Sequence, residues 1–149
     1  MTLRLTTRSA EETMAAAEAF ARTLRTGDCV ALSGTLGAGK TQFVKGVCRH
    51  FGVREPVASP TFVVMNRYSG VDRIGGEVLV YHFDWYRVRA EAELEDLGMR
   101  EFLSSGVSLI EWADRFPQKL PDARYEVRMD LGEQATEREI EIAAIGTRA

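Results

Sequence analysis

Cysteine and proline are scarce in this chain of 149 residues, with two and four copies respectively. Cys29 and Cys48 stand in no metal-ligating or redox spacing, which excludes a thiolate metal centre or a dithiol motif and leaves two small buried hydrophobes. The prolines are confined to two places, 56 and 60, then 117 and 121, and each pair marks a loop. An excess of positive charge is also missing. The net charge is −3, so no global field draws in nucleic acid or an anionic membrane, and any nucleic-acid contact is local or supplied by a partner. No apolar run of signal-peptide type opens the chain, and none approaches the roughly 18–20 residues of a membrane-crossing helix. A cytoplasmic protein with no membrane partner is expected. Repeats, low-complexity tracts and linkers are absent, so residues 1–149 are expected to form a single domain.

What is present is an ordinary globular composition, 45% apolar and 28% charged. A chain of this size buries about two-thirds of its unfolded surface, enough for a core without staples. Leu3 and Leu5 begin a short alternating strand. Ser9 and Glu12 have the spacing of a capping box, and Met14, Ala17, Ala21 and Leu24 recur at helical period. Gly27-Asp28 ends that helix. Residues 29–32 form an apolar run that suits a strand buried on both faces. A Gly-rich segment follows, then a helix from Lys40 to about Phe51 with Gly52 at its C-terminal end. Residues 62–68 and 78–83 read as strands joined by a turn over 69–76, a hairpin. Two helical pieces within 91–103 are separated by Gly98. Residues 107–110 form a strand ending at Glu111, and 125–131 and 138–145 two more. The expected fold is a three-layer α/β domain, its mixed central sheet flanked by helices.

Gly34-Thr35-Leu36-Gly37-Ala38-Gly39-Lys40-Thr41 fits the Walker A spacing in full. A loop that wraps a phosphate must aim backbone N–H groups inward. Glycines permit that close approach, and the helix that follows directs its positive end at the same anion. Leu36, Gly37, Ala38, Gly39, Lys40, Thr41 and Gln42 are therefore candidate nucleotide-binding residues. Lys40 reaches the β- and γ-phosphates, and the Thr41 hydroxyl is placed for Mg²⁺. The apolar strand before the loop and the amphipathic helix after it are the context this mechanism requires, so the expected fold is of the P-loop nucleoside triphosphatase type, with ATP and Mg²⁺ as its ligands.

Such a loop needs acids for metal and water. Two apolar strands end in one each, Asp84 and Glu111, and both are candidate metal ligands and catalytic groups. Ser59-Pro60-Thr61 is a Pro-restrained loop whose Thr61 is a candidate sensor of the γ-phosphate; a turn with a capping hydroxyl is the plainer alternative. Trp85, Tyr86 and Trp112 follow the two acids directly. They are suited to stacking on a base, to a partner surface, or to packing against the sheet edge.

Five segments occur in order: 32–41, Ser59-Pro-Thr-Phe62, Tyr81-His-Phe-Asp-Trp-Tyr-Arg87, Glu93-Leu-Glu-Asp-Leu-Gly98 and Leu109-Ile-Glu-Trp112. Together they resemble the TsaE (YjeE) family, small ATPases of bacterial tRNA threonylcarbamoyladenosine synthesis. The resemblance runs from about Ser9 to the C-terminal strands. It implies a cytoplasmic ATP-hydrolysing subunit that acts with a TsaB–TsaD pair, meets tRNA only through that complex, and is weakly active alone. It also implies that Thr41 and Glu111 hold Mg²⁺, that Asp84 and Thr61 position water or sense the γ-phosphate, and that Trp112 lies near the nucleotide. Ser9 would approach the nucleotide and Arg138 would border the adenine. The departures are Thr35 for a usual Asp, Phe62 for a frequent Tyr and Trp85 for a frequent Leu; the last bears on packing or partner contact.

Three other readings stay open on the residues alone. A small-molecule kinase would need an acceptor site and an Arg-rich lid, and Arg87, Arg89 and Arg100 are too scattered to form one. A regulatory GTPase would need an Asn-Lys-x-Asp string, which is missing; the Asp72-to-Gly75 match to a DxxG pattern falls in an expected hairpin turn. A non-catalytic nucleotide-binding module is the third.

Overall fold

The structure, a computed structural model, describes residues 2–60 and 64–146. Seven strands, β1 (Thr2–Thr7), β2 (Cys29–Gly34), β3 (Met65–Val71), β4 (Glu77–Asp84), β5 (Val107–Glu111), β6 (Arg124–Leu131) and β7 (Arg138–Ile145), form one sheet in the order β1-β7-β6-β2-β5-β4-β3. The central four are parallel, and β1–β7, β7–β6 and β3–β4 are antiparallel. The sheet is therefore mixed, as expected. Its middle strands follow burial: residues 29–32 of β2 and all of β5 are buried, the pattern of strands covered on both faces.

Helices α1 (Ala10–Ala21) and α2 (Lys40–His50) cover one face, and α3 (Glu91–Leu97) and α4 (Met99–Ser105) the other. Alternation along each strand produces two cores. Val30 and Leu32 of β2, Val78 and Val80 of β4 and Leu109 of β5 pack under α1 and α2 with Phe43, Val44 and Val47. Cys29, Ala31, Tyr81, Phe83 and Ile110 point the opposite way, toward Leu94 and Met99. Burial pushes both thiols, Cys29 and Cys48, up to about 12. Trp85 lies wholly inside this second core, edge-on to Phe116, so of the roles open to it packing is the one realised and partner contact is not.

Local chemistry explains the ends of the elements. Ser9 Oγ accepts from Glu12 N at 3.0 Å, but the Glu12 carboxylate accepts from Arg8 N rather than from the cap residue itself. The C-terminus of α2 closes as a Schellman motif, Gly52 N donating to Arg49 O and Val53 N to Cys48 O. One boundary differs from expectation. Ser69 to Val71 belong to β3 and pair with Leu79 to Glu77, and the turn shrinks to residues 72–76. Gly70 sits in the strand because Phe51 at the end of α2 lies against it: a Cβ there would stand 2.6 Å from Phe51 O. Asp72 shapes the turn with its side chain, the carboxylate accepting from Ile74 N and Gly76 N, and Gly75 takes the left-handed position. The DxxG string is thus a hairpin turn. The predicted strand start at Phe62 lies outside the described residues, and Val64 is a bend.

Candidate functional site

The C-terminal ends of the parallel strands bring the chemistry together. Strand β2 delivers the Gly-rich loop, and α2 starts at Lys40 with Gly39 as a left-handed N-cap. No side chain caps this helix start, so its first N–H groups remain for another acceptor. Thr35 N donates to Met129 O, and Thr35 Oγ1 to Asp130 Oδ1 at 2.9 Å, tying the near limb of the loop to β6. An Asp at position 35 would put a second carboxylate opposite Asp130; Thr35 donates to it instead.

Lys40 is buried and donates from Nζ to Thr35 O at 2.9 Å and Gly34 O at 3.4 Å. Burial lowers its pKa, and the nearby carboxylates of Glu111, Asp114, Asp130 and Asp84 oppose that shift. Its ammonium also lies 4.2 Å from the centre of the Trp112 ring. Trp112 is the one non-glycine residue among those described with positive φ, at 59°. That turn takes the chain off β5 and stacks the indole on Tyr86, with ring centres 4.9 Å apart.

Strands β4 and β5 are parallel neighbours with Asp84 opposite Glu111 in register, so the two acid-ended strands place their acids side by side. Thr41 Oγ1 donates to the Glu111 carboxylate at 3.0–3.1 Å and is 2.8 Å from Ser59 Oγ. Asp84 accepts from Tyr86 N at 2.9 Å, and burial raises its pKa, with that N–H partly offsetting the rise. Ser59 is held from below, since Ala58 O accepts from Asn66 Nδ2 and from the Tyr68 hydroxyl. Thr61 lies outside the described residues.

A second grouping surrounds a cleft of about 180 Å³ beside the loop, lined by Ser9, Thr13, Ala38, Gly39, Gln42 and Arg138. Arg138 donates to Ala135 O, Glu137 O and, at 3.4 Å, Gly37 O. Ser9 and Arg138, far apart in sequence, therefore meet at the same side of the loop. Leu36 is exposed at the loop's outer edge. A cavity of about 680 Å³ exists elsewhere, between α3, α4 and the turn at Pro117–Lys119, and holds none of these residues.

The model of the family described as threonylcarbamoyl adenosine biosynthesis protein TsaE matches residues 7–140. The chain belongs to the TsaE family. It is 40% identical over 139 residues to the tRNA threonylcarbamoyladenosine biosynthesis protein TsaE of Bacillus subtilis, covering 93% of this chain and 83% of that protein. Identity to the protein of the same name from Treponema pallidum is 36%, over 87% of this chain and 90% of the relative. For the Streptomyces coelicolor protein it is 37%, over 87% and 88%. The crystal structure of Bacillus subtilis YdiB superposes with a TM-score of 0.78 at 33% identity, covering 98% of this chain and 87% of that one.

In this TsaE-family chain one site neighbour escaped the sequence reading. His82 is fully buried and its Nε2 lies 2.6 Å from Glu111 Oε2. A signal existed: His82 sits two residues before Asp84, hence on the same strand face, in a segment otherwise apolar from 78 to 83 apart from Tyr81.

Proposed function

We propose that this chain is the ATP-hydrolysing subunit required to form threonylcarbamoyladenosine next to the anticodon of tRNAs, acting in the cytoplasm with a TsaB–TsaD pair. The assignment rests on one observation: Lys40, Thr41 and Glu111 converge beside the uncapped start of α2, in a chain of the TsaE family. Its net charge of −3 fits a subunit that meets tRNA only through its partners. Among the described residues no helix is long and apolar enough to cross a membrane.

The residues fit the ligands. A hydroxyl and a carboxylate 3.0–3.1 Å apart are the hard oxygen donors that Mg²⁺ takes. That ion keeps most of its waters and shares phosphate oxygens, so it needs no dense acidic cage. Among the described residues no group of three or more His, Cys, Asp or Glu side chains forms one. Bound there, Mg²⁺ would neutralise charge on the β- and γ-phosphates. Thr41 and Glu111 would hold it, with Asp84 alongside. Lys40 contributes a fixed positive charge to the same oxygens, in a buried setting where such charge acts strongly. Backbone N–H groups of residues 36–42 cradle the phosphates. Asp84 orients the attacking water; the burial that raises its pKa makes it a better proton acceptor than an exposed carboxylate. Thr61 senses the γ-phosphate, Trp112 covers the Lys40 side, and Ser9 and Arg138 border the base.

The deciding experiment measures ATP turnover with Mg²⁺ for the pure protein, then with TsaB, TsaD and tRNA added. Release of ADP and phosphate that rises with the partners is expected. Phosphorylation of a small acceptor would instead establish a kinase. No hydrolysis with every partner present would leave a nucleotide-binding module.

A further inference from the structure

Buried polar side chains need a reason, since an apolar residue of similar size packs without the cost of desolvation. On the α2-facing side of β4 the inward residues are Val78, Val80 and then His82, so the first two are aliphatic and the third is not. The His82 ring is fully buried, with the Tyr68 ring 6.3 Å away centre to centre. Its Nδ1 has no hydrogen-bond partner, and its Nε2 has one, Glu111 Oε2 at 2.6 Å. A carboxylate only accepts, so the proton sits on Nε2 and the ring donates to Glu111. Oε2 thus receives His82, Thr41 at 3.0 Å and Ser59 at 3.4 Å, whereas Oε1 receives only Thr41 at 3.1 Å.

We infer that His82 is a positioning residue that clamps Glu111 through Oε2 and so presents Oε1, the less occupied carboxylate oxygen, to a ligand. The clamp comes from the sheet interior, on β4, whereas the other donors to Glu111, Thr41 and Ser59, come from the α2 start and the loop after it. It rests on Glu111 being the acid that meets Mg²⁺ with ATP. Partners of this kind, one bond removed from a ligand, change metal affinity or activity by about 10- to 100-fold when lost.

Three variants separate the donor from the packing. His82→Gln keeps an N–H donor at similar reach, His82→Leu removes it, and His82→Phe removes it while keeping a ring. Binding of a non-hydrolysable ATP analogue is titrated calorimetrically against Mg²⁺ and, separately, in EDTA, beside kcat and KM. Loss of the donor should raise the Mg²⁺ concentration for half-maximal binding about tenfold and lower kcat by a similar factor. Binding in EDTA should stay within about twofold, and His82→Gln should recover most of the loss. Equal losses in the Gln, Leu and Phe variants, or none in the last two, would overturn the inference. Should both donor-less variants fail to fold, imidazole nitrogen spectra of the wild type decide: a proton on Nε2 supports the clamp, and a bare Nε2 refutes it. Wild-type protein without Mg²⁺-dependent analogue binding would instead overturn the ATPase assignment, leaving the His82 spectrum as the separate test of the clamp.

Discussion

Replacing Gly34 by alanine tests whether the phosphate loop is held by its own glycines or by the sheet behind it. Gly34 ends β2 with φ of +124° and pairs with Met129 of β6. A Cβ there would lie 1.9 Å from Met129 O, 2.8 Å from its carbonyl carbon and 2.9 Å from its nitrogen. All three are backbone atoms, so no rotamer change relieves the contact. The same Met129 O accepts the Thr35 N–H that starts the loop, so relief must open the β2–β6 ladder where the loop leaves it. The backbone conformation alone costs a non-glycine residue about 1–3 kcal/mol. Overpacking adds about 1–3 kcal/mol. The sum, about 2–6 kcal/mol, is a large part of the roughly 5–15 kcal/mol that stabilises a domain. Gly37 is the control: φ is +80° and a Cβ would meet nothing within 4 Å, so Gly37→Ala carries only the left-handed penalty of about 1–2 kcal/mol. Urea unfolding of both variants and the wild type reads the difference directly. Gly34→Ala should unfold at clearly lower urea than Gly37→Ala. Equal midpoints, or a Gly34→Ala protein as stable as wild type, would refute the claim that β6 clamps this loop.

Lys40→Ala and Thr41→Ala should each reduce ATP hydrolysis at least 100-fold with far-UV circular dichroism unchanged, because the phosphate charge loses its counter-ion in one and Mg²⁺ a ligand in the other; wild-type turnover in either would remove the assigned role. Asp84→Asn should lower turnover and raise the melting temperature at pH 7. Burial raises the Asp84 pKa, so its contribution to stability is full below the unfolded value of 3.8 and is lost as pH rises through the folded one. The neutral amide escapes that loss, and a lower melting temperature would contradict this sign. Cys29 and Cys48 behave alike at the alkaline end: each thiol is raised from 9.0 to about 12, so stability is full below pH 9 and falls towards pH 12. Each contributes a slope of about 1.4 kcal/mol per pH unit in that window. Urea midpoints at pH 8 and pH 10 should therefore diverge more in the wild type than in a Cys29→Ala, Cys48→Ala double variant.

The Walker A residues, the strand and helix around them, and the two acid-ended strands were legible in the chain because each depends on local rules. Periodicity, capping chemistry and glycine placement act within a few residues. The hairpin was legible, but its turn was read three residues too early. Ser69 and Gly70 carry turn chemistry, yet Gly70 is demanded by Phe51, a residue distant in sequence whose approach no local pattern reveals. Trp85 likewise looked equally suited to a surface or a core until packing enclosed it.

Sequence alone determined the chemical inventory: a Gly-rich loop with the Walker A spacing, Thr41 at its end, two acid-ended strands, and the ordered segments that mark the TsaE family. Tertiary structure decided how these meet. Parallel pairing of β4 with β5 sets Asp84 beside Glu111, and the pairing of β2 with β5 brings Thr41 within 3.1 Å of the Glu111 carboxylate. It also put His82 behind Glu111 and drew Ser9 and Arg138 to one cleft. These arrangements join residues far apart in the chain, Thr41 with Glu111 and Arg138 with Gly37 among them, and are fixed by sheet register and burial; none is written in the spacing of neighbours along the chain.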